Sequence, residues 1–92
     1  MENKQTIERT FGIVLRRLRE KTGLSHINFS TQIGVNRSHY GRIERGESSA
    51  GIGMIEKLSH GLNLEVSELM ILVDKERKRI LRGFVVKVKS NL

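Results

Sequence analysis

The chain contains no proline, so glycine alone interrupts a series of segments whose apolar residues recur at helical spacing. The first segment carries a single apolar stripe and ends near Thr22 and Gly23, where a left-handed glycine can close a helix. This spacing predicts an amphipathic helix 1. The stripe consists of Ile7, Phe11, Val14, Leu15 and Leu18.

Two further helices follow at once, each with a residue suited to cap its amino end. Ser25 can cap a helix 2 that runs to Gly34, and Asn36 can cap a helix 3 from about Arg37 to Arg45. After a loop from Gly46, apolar residues again recur at helical spacing and predict helices 4 and 5. They are Ile52, Ile55, Leu58 and Leu62, then Val66, Leu69, Met70 and Val73. Short connections between five helices predict a compact all-α bundle over residues 1–73.

Length and composition limit the kinds of protein that remain. Ninety-two residues allow one domain with a short appendage, and the absence of cysteine excludes a disulfide-stapled scaffold and a thiolate zinc site. No signal segment is visible, and the longest apolar run, 69–73, is far below the ~20 residues of a membrane span. Seventeen Lys and Arg against ten Asp and Glu give a net charge of +7, which points to a polyanionic partner, with nucleic acid ahead of an anionic membrane surface.

The positive charge is concentrated in a tail, residues 74–92. This tail carries seven basic and two acidic residues, whereas residues 1–73 carry ten and eight. We therefore divide the chain into a body, 1–73, and a basic C-terminal extension, 74–92. The apolar residues of the extension fit both a helical stripe and a strand-like alternation. The valine-rich composition after Gly83 favours a helical turn or two from about Asp74 to Arg82, followed by a short strand.

Residues 26–45 satisfy the geometric requirements of a helix-turn-helix unit. Ser30 supplies a small side chain where the two helices must cross, and Gly34 can adopt the positive φ of a sharp turn. The inward positions are apolar, as the unit requires. They are Phe29, Ile33, Val35, Tyr40 and Ile43.

From Phe11 to Met70 the sequence resembles the Cro and repressor type of helix-turn-helix family, the xenobiotic-response-element family of bacterial and phage regulators. The motifs that carry the resemblance are LRRLREKTGLS (15–25), IGVNRS (33–38), RIERGE (42–47) and LSHGLNLEVSEL (58–69). The run NRSHYGRIERG (36–46) also resembles the controller proteins of restriction-modification systems, a subgroup of that family. The resemblance implies a five-helix, lambda-repressor-like domain that binds double-stranded DNA through helix 3, usually as a dimer. It also implies a location in the bacterial cytoplasm or nucleoid.

Helix 3 should expose Arg37, Ser38, Gly41, Arg42 and Arg45 on the side away from Tyr40 and Ile43. Arginine can present a bidentate fork to guanine in the major groove, and a serine hydroxyl can donate or accept. We therefore predict Arg37, Ser38 and Arg42 as base-reading residues.

Contacts to the DNA backbone are expected at helix starts, where free amides attract phosphate, and in the loop after helix 3. The candidates are His26, Asn36, His39, Arg45, Ser48 and Ser49. In the resembling family, an arginine and a glutamate at the positions of Arg19 and Glu44 pair between helix 1 and the end of helix 3. The resemblance thus implies a structural ion pair that fixes the recognition helix.

A homodimer on a pseudo-palindromic operator is the expected assembly. Its interface should use apolar residues of helix 5 and the extension that remain once the five-helix core is filled. They are Leu72, Ile80, Phe84, Val86 and Val88.

No residues stand at the spacing of a nucleophile elbow, a phosphate loop or a metal site, so we expect no enzyme activity, cofactor or metal. Two alternatives remain open besides a transcription regulator. The chain can be an antitoxin that also binds its own promoter, or a membrane- or protein-binding module built on the basic amphipathic extension.

Overall fold

A computed structural model describes the backbone of residues 6–89 and the side chains of residues 6–82. Over this range the chain forms five α-helices and no strand, which confirms the predicted all-α bundle. The helices are α1 (Ile7–Thr22), α2 (His26–Gln32), α3 (Arg37–Glu44), α4 (Ile52–Gly61) and α5 (Val66–Lys89).

The helix boundaries follow from side-chain and glycine caps. The side chains of Thr6, Ser25 and Asn36 each accept a hydrogen bond from a backbone N–H in the first turn of α1, α2 and α3. Gly23 ends α1 in the left-handed conformation at φ 82°, which costs glycine no steric strain. The first three helices are therefore set by local chemistry that is readable in the sequence.

The core lies where α1 packs against α3 and α5, while α2 packs on α3 and α4 on α5. Every helix contributes at least one fully or nearly buried apolar side chain. Burial of such a side chain stabilises the fold by about 1.5–3 kcal/mol. The core consists of Phe11, Val14, Leu15, Phe29, Val35, Tyr40, Ile43, Leu58, Leu69 and Val73.

The strand expected after Gly83 is wrong, because α5 continues without interruption to Lys89. Within the described backbone no neighbouring strand is present to pair with such a segment, and a strand without a partner leaves its backbone groups unbonded. The helical spacing of the apolar residues in the extension is therefore the better guide to its structure than the β-propensity of valine, which depends on context. Leu69 and Val73 are buried and Ile80 is half-buried, so this stripe holds α5 on the body.

The proposed division between residues 73 and 74 falls inside α5, and it stays a prediction. Just beyond it, Glu76 is buried and bonded to Arg17 of α1 at 3.0 Å. The first turns of the basic extension are thus tied to the bundle. Among the described residues, no helix has the length and apolar character needed to cross a membrane.

Candidate nucleic-acid interface

The turn between α2 and α3 has the small residue and the glycine that a close helix crossing requires. Ser30 is completely buried, and its backbone oxygen accepts the N–H of Val35 at 2.9 Å. Gly34 has φ 72°, the positive value expected for this position. The turn places α3 across α2 with one face turned inward.

Buried aromatic and aliphatic side chains support α3 from behind. Tyr40 and Ile43 are fully buried and lie on its inner face. The ring of Tyr40 packs on that of Phe29 at 5.5 Å and stacks with that of His26 at 6.4 Å between centroids. These two ring contacts join α2 to α3, so the outer face of α3 is presented on a rigid support.

A hydrogen-bonded network fixes the carboxyl end of α3 against α1. The guanidinium of Arg19 donates to both carboxylate oxygens of Glu44, at 2.5 and 3.2 Å, and to the carbonyl of Leu24 at 2.7 Å. The pair implied by the resemblance is therefore formed, with both side chains about nine-tenths buried. The hydrogen bond to Glu44 raises the pKa of Arg19, which stays charged.

Tyr40 adds a third member to this network. Its hydroxyl donates to the same Glu44 oxygen that accepts Arg19 Nε. Burial raises the pKa of Tyr40 far above its usual range, and the hydrogen bond to Glu44 raises it further. The hydroxyl therefore remains a donor, and one residue serves both the apolar support of α3 and the polar network.

The outer face of α3 carries exposed polar and cationic side chains beside a shallow groove of about 380 Å³. Arg37, Ser38 and Arg42 are all exposed and line this groove together. Within the part of the chain whose side chains are described, neither Arg37 nor Arg42 forms an ion pair with a carboxylate, although the charge of Arg42 helps Arg45 to lower the pKa of Glu47. The predicted base-reading residues thus lie on one face, with both guanidinium groups accessible.

Gly41 differs from expectation, because it is buried rather than exposed. The side chain of Arg45, one turn further on, lies over it: a β-carbon at Gly41 would come within 3.1 Å of Arg45 Nη1. The helical position of Gly41 does face outward, but a long neighbouring side chain covers a residue that has no side chain of its own. Since the covering group is the flexible end of an arginine, it can move away.

The other predicted phosphate contacts are spread around this face. His26 is exposed and lines the same groove, whereas His39 is only half-exposed. The Asn36 side chain is engaged as the α3 cap, with Oδ1 accepting the N–H of His39 at 2.9 Å. Its exposed amide group remains available as a donor.

The loop after α3 holds the remaining candidates. Arg45 is exposed and donates to Glu47 at 3.0 and 3.2 Å, a contact that lowers the pKa of Glu47. Ser48 is half-exposed, and the Ser49 hydroxyl donates to Glu8 of α1 at 3.1 Å. Arg45 thus lies with Arg37 and Arg42 in the groove, while the two serines do not line it.

Two residues at or behind this face were missed by sequence reasoning. Ile27 is 42% exposed and lines the groove beside His26. Gly12 of α1 is buried and lies against the last carbonyl groups of α3. A glycine inside a strong helical pattern costs about 1 kcal/mol of helix stability relative to alanine. Its presence in α1 could therefore have indicated that another backbone segment lies close to Gly12.

Comparison with known proteins places this arrangement in a family. A helix-turn-helix family matches residues 15–69. Among curated proteins, the chain is similar to the control protein C.MunI of a Mycoplasma species, with 42% identity over 67 residues that make up 72% of this chain and 90% of that protein.

Solved structures show the same likeness. The restriction-modification controller protein C.AhdI from Aeromonas hydrophila is 37% identical with a TM-score of 0.64, covering 67% of this chain and 94% of that one. The clp gene regulator ClgR from Corynebacterium glutamicum shares the fold at a TM-score of 0.72 and 17% identity, covering 85% of this chain and 93% of that one. The chain belongs to the xenobiotic-response-element type of helix-turn-helix proteins, a family of DNA-binding transcription regulators.

Proposed function

We propose that the protein is a sequence-specific regulator that binds a pseudo-palindromic operator in double-stranded DNA as a homodimer, with α3 in the major groove. The observation that carries this proposal is the outer face of α3, where Arg37 and Arg42 are exposed, line one groove and form no ion pair with a carboxylate among the described residues. An arginine with an available fork can bond guanine O6 and N7, and each such pair discriminates by about 1–3 kcal/mol.

In this proposal Arg37, Ser38 and Arg42 read bases. Ser38 and Arg42 lie one turn apart on α3, so their side chains are neighbours along the helix. Ile27 can add an apolar contact, of the kind that thymine methyl groups accept, at the edge of the same groove.

The residues proposed to contact the DNA backbone surround these base-reading residues. His26 at the start of α2 and Arg45 at the end of α3 line the same groove and can each donate to a phosphate oxygen. Further donors are the side chains of Asn36, His39, Ser48 and Ser49. Arg45 and Ser49 must exchange their bonds to Glu47 and Glu8 for a bond to phosphate.

We further assign the protein to the controllers of restriction-modification systems. The support is the named function of two relatives, C.MunI at 42% identity and C.AhdI at 37%. A regulator of this kind acts where the DNA is, in the bacterial cytoplasm or nucleoid.

A dimer would place two copies of α3 about one DNA turn, ~34 Å, apart on one side of the duplex. The proposed interface is formed by α5 and its extension. Of the residues predicted for it, Leu72 is 37% exposed and Ile80 is half-buried. Phe84, Val86 and Val88 lie on the helical backbone of α5, and their side chains fall outside the described residues.

The basic extension would add attraction to phosphate that does not depend on sequence. Lys78 and Arg82 are exposed on α5, and Lys78 must exchange its bond to Asp74 for a bond to phosphate. Because cutting after Val73 would also remove the buried Glu76, substitution tests this contribution better than truncation.

The assembly is tested by recovering bound duplexes from a random pool and measuring the mass of the complex by sedimentation. We expect two chains for each duplex and a recovered sequence that reads alike on both strands. One chain on each duplex, or a recovered sequence without this symmetry, would contradict the homodimer.

A further inference from the structure

A second groove, of about 310 Å³, lies between α1 and α5 and shares no residue with the groove beside α3. Its floor is apolar and its rim is mostly cationic. Val14, Leu18 and Leu72 form the floor, and Arg17, Lys21, Lys75, Glu76 and Arg79 form the rim.

This groove opens on the side of α1 that is turned away from α3. Arg19 faces α3, where it is paired with Glu44. Arg17 and Lys21 each lie two residues from Arg19, and two residues rotate an α-helix by about 200°. DNA held on the outer face of α3 would therefore leave the α1–α5 groove open.

The rim carries four cations for a single carboxylate. Glu76 is buried between Arg17 and Arg79, with bonds of 3.0 and 2.6 Å. No carboxylate among the described residues pairs with Lys21 or Lys75. Other surface cations of the same helices do have partners, since Arg16 pairs with Glu20 at 3.1 Å and Lys78 with Asp74 at 3.1 Å.

The apolar floor and the cationic rim together favour a ligand that has both apolar and acidic groups. Leu72 is 37% exposed at the floor, so an apolar side chain gains by covering it. DNA phosphates would satisfy the cations but not the apolar floor. A second copy docked on this groove by twofold symmetry would bring a like-charged rim against this one, which is unfavourable.

We propose that the α1–α5 groove is a docking site for an acidic amphipathic segment of a partner protein, accessible while α3 is bound to DNA. The segment would place one apolar side chain over Leu72 and carboxylates near Lys21 and Lys75. This inference goes beyond the proposed function, and it assigns Leu72 to the groove rather than to the dimer interface.

The experiment measures fluorescence anisotropy of a labelled helical peptide whose leucines repeat on one face between glutamates. A matched peptide has every glutamate replaced by lysine. The full chain is compared with the double variant Lys21→Glu and Lys75→Glu, with Leu72→Ala, and with the charge-matched control Arg9→Glu and Lys57→Glu, whose two residues are exposed and lie outside both grooves. The substituted lysines are exposed, and circular dichroism checks that each variant is folded.

We expect the acidic peptide to bind and the lysine peptide not to bind. The groove double variant should weaken binding about tenfold and Leu72→Ala by several-fold, while the control changes it less than about twofold. A random-sequence duplex should not displace the peptide.

Absence of peptide binding, or an equal loss in the control variant, would overturn the proposal. Displacement by the duplex would identify a phosphate site instead, and a change of oligomeric state in the groove variants would identify an interface between copies. Duplex binding by the wild-type protein is measured in the same experiment. Absence of duplex binding would count against the proposed DNA-binding function, whereas the peptide measurements would still decide whether the groove binds an acidic segment.

Discussion

The backbone of Gly12 in α1 lies directly against the terminal carbonyl of Glu44 in α3. A β-carbon on Gly12 would overlap that oxygen and would come within 2.7 Å of the Ile43 carbonyl oxygen as well. Both obstacles are backbone atoms at the carboxyl end of α3, so neither can move away without shifting that helix. The contact between α1 and α3 thus depends on the absence of a side chain at Gly12.

Gly12→Ala should therefore lower the free energy of unfolding by about 2–4 kcal/mol, because α1 and α3 must separate to admit the methyl group. Urea unfolding measures the change. Gly53→Ala is the matched control, since Gly53 is also helical and no heavy atom lies within 4 Å of a β-carbon there. The control should be neutral or more stable by up to about 1 kcal/mol. Equal stability of Gly12→Ala and the wild type would refute the close contact.

The ion pair between Arg19 and Glu44 should contribute far more to stability than the exposed pairs. Arg19→Met would leave the Glu44 carboxylate, 10% exposed, without its cation and should lower the free energy of unfolding by about 3 kcal/mol. Arg16→Met on the same helix breaks a pair whose side chains are 65% and 55% exposed and should cost less than about 1 kcal/mol. Similar losses in the two variants, measured by urea unfolding, would show that burial of the pair is unimportant.

The ion pairs of Glu76 should make the protein less stable in acid. The hydrogen bond from Arg79, aided by Arg17, lowers the pKa of Glu76 from 4.5 to about 2 despite its burial. The unfolded chain therefore takes up this proton at higher pH than the folded protein. The stabilisation is complete above the unfolded pKa of 4.5 and disappears as the pH falls through about 2.

The thermal midpoint of Glu76→Gln should accordingly lie below that of the wild type at pH 7, and the gap should close as the pH falls from about 5 to 2. Scanning calorimetry over this pH range measures both proteins, and taking their difference removes the contribution of other carboxylates. A difference in thermal midpoint that stays constant with pH would mean that the negative charge of Glu76 does not stabilise the fold.

The charge of the α5 extension should appear in the salt dependence of DNA binding. Replacing Lys78 and Arg82 by alanine should reduce the slope of log affinity against log salt concentration by about 1–2, because each phosphate contact releases about one counterion. Lys57→Ala, on α4, is the control and should leave the slope unchanged. An unaltered slope in the double variant would show that this part of α5 does not contact DNA.

The sequence was most informative where structure is decided locally. Ser25 and Asn36 act as caps, and Gly34 has positive φ, because each depends on groups within three or four residues. The order of the helices, and the approximate bounds of the first three, follow from such signals together with the apolar spacing.

Sequence reasoning was less successful where distant groups decide the outcome. The strand after Gly83 was favoured by the local preference of valine, but a strand requires a partner, and local composition does not provide one. The burial of Gly41 depends on the direction of the Arg45 side chain. The joint role of Tyr40 and Glu44 depends on how α1 crosses α3, which helical spacing alone does not reveal.

The central claim, that the exposed arginines of α3 read base sequence, is tested most directly by selecting duplexes from a randomised pool with the wild-type protein and with Arg42→Ala. Arg42 is exposed, so the variant should keep its fold. The wild type should enrich inverted half-sites whose centres lie about one helical turn apart, and Arg42→Ala should lose base preference at one or two positions in each half-site. Enrichment of no common sequence by the wild type, or identical preferences in the two proteins, would contradict the account.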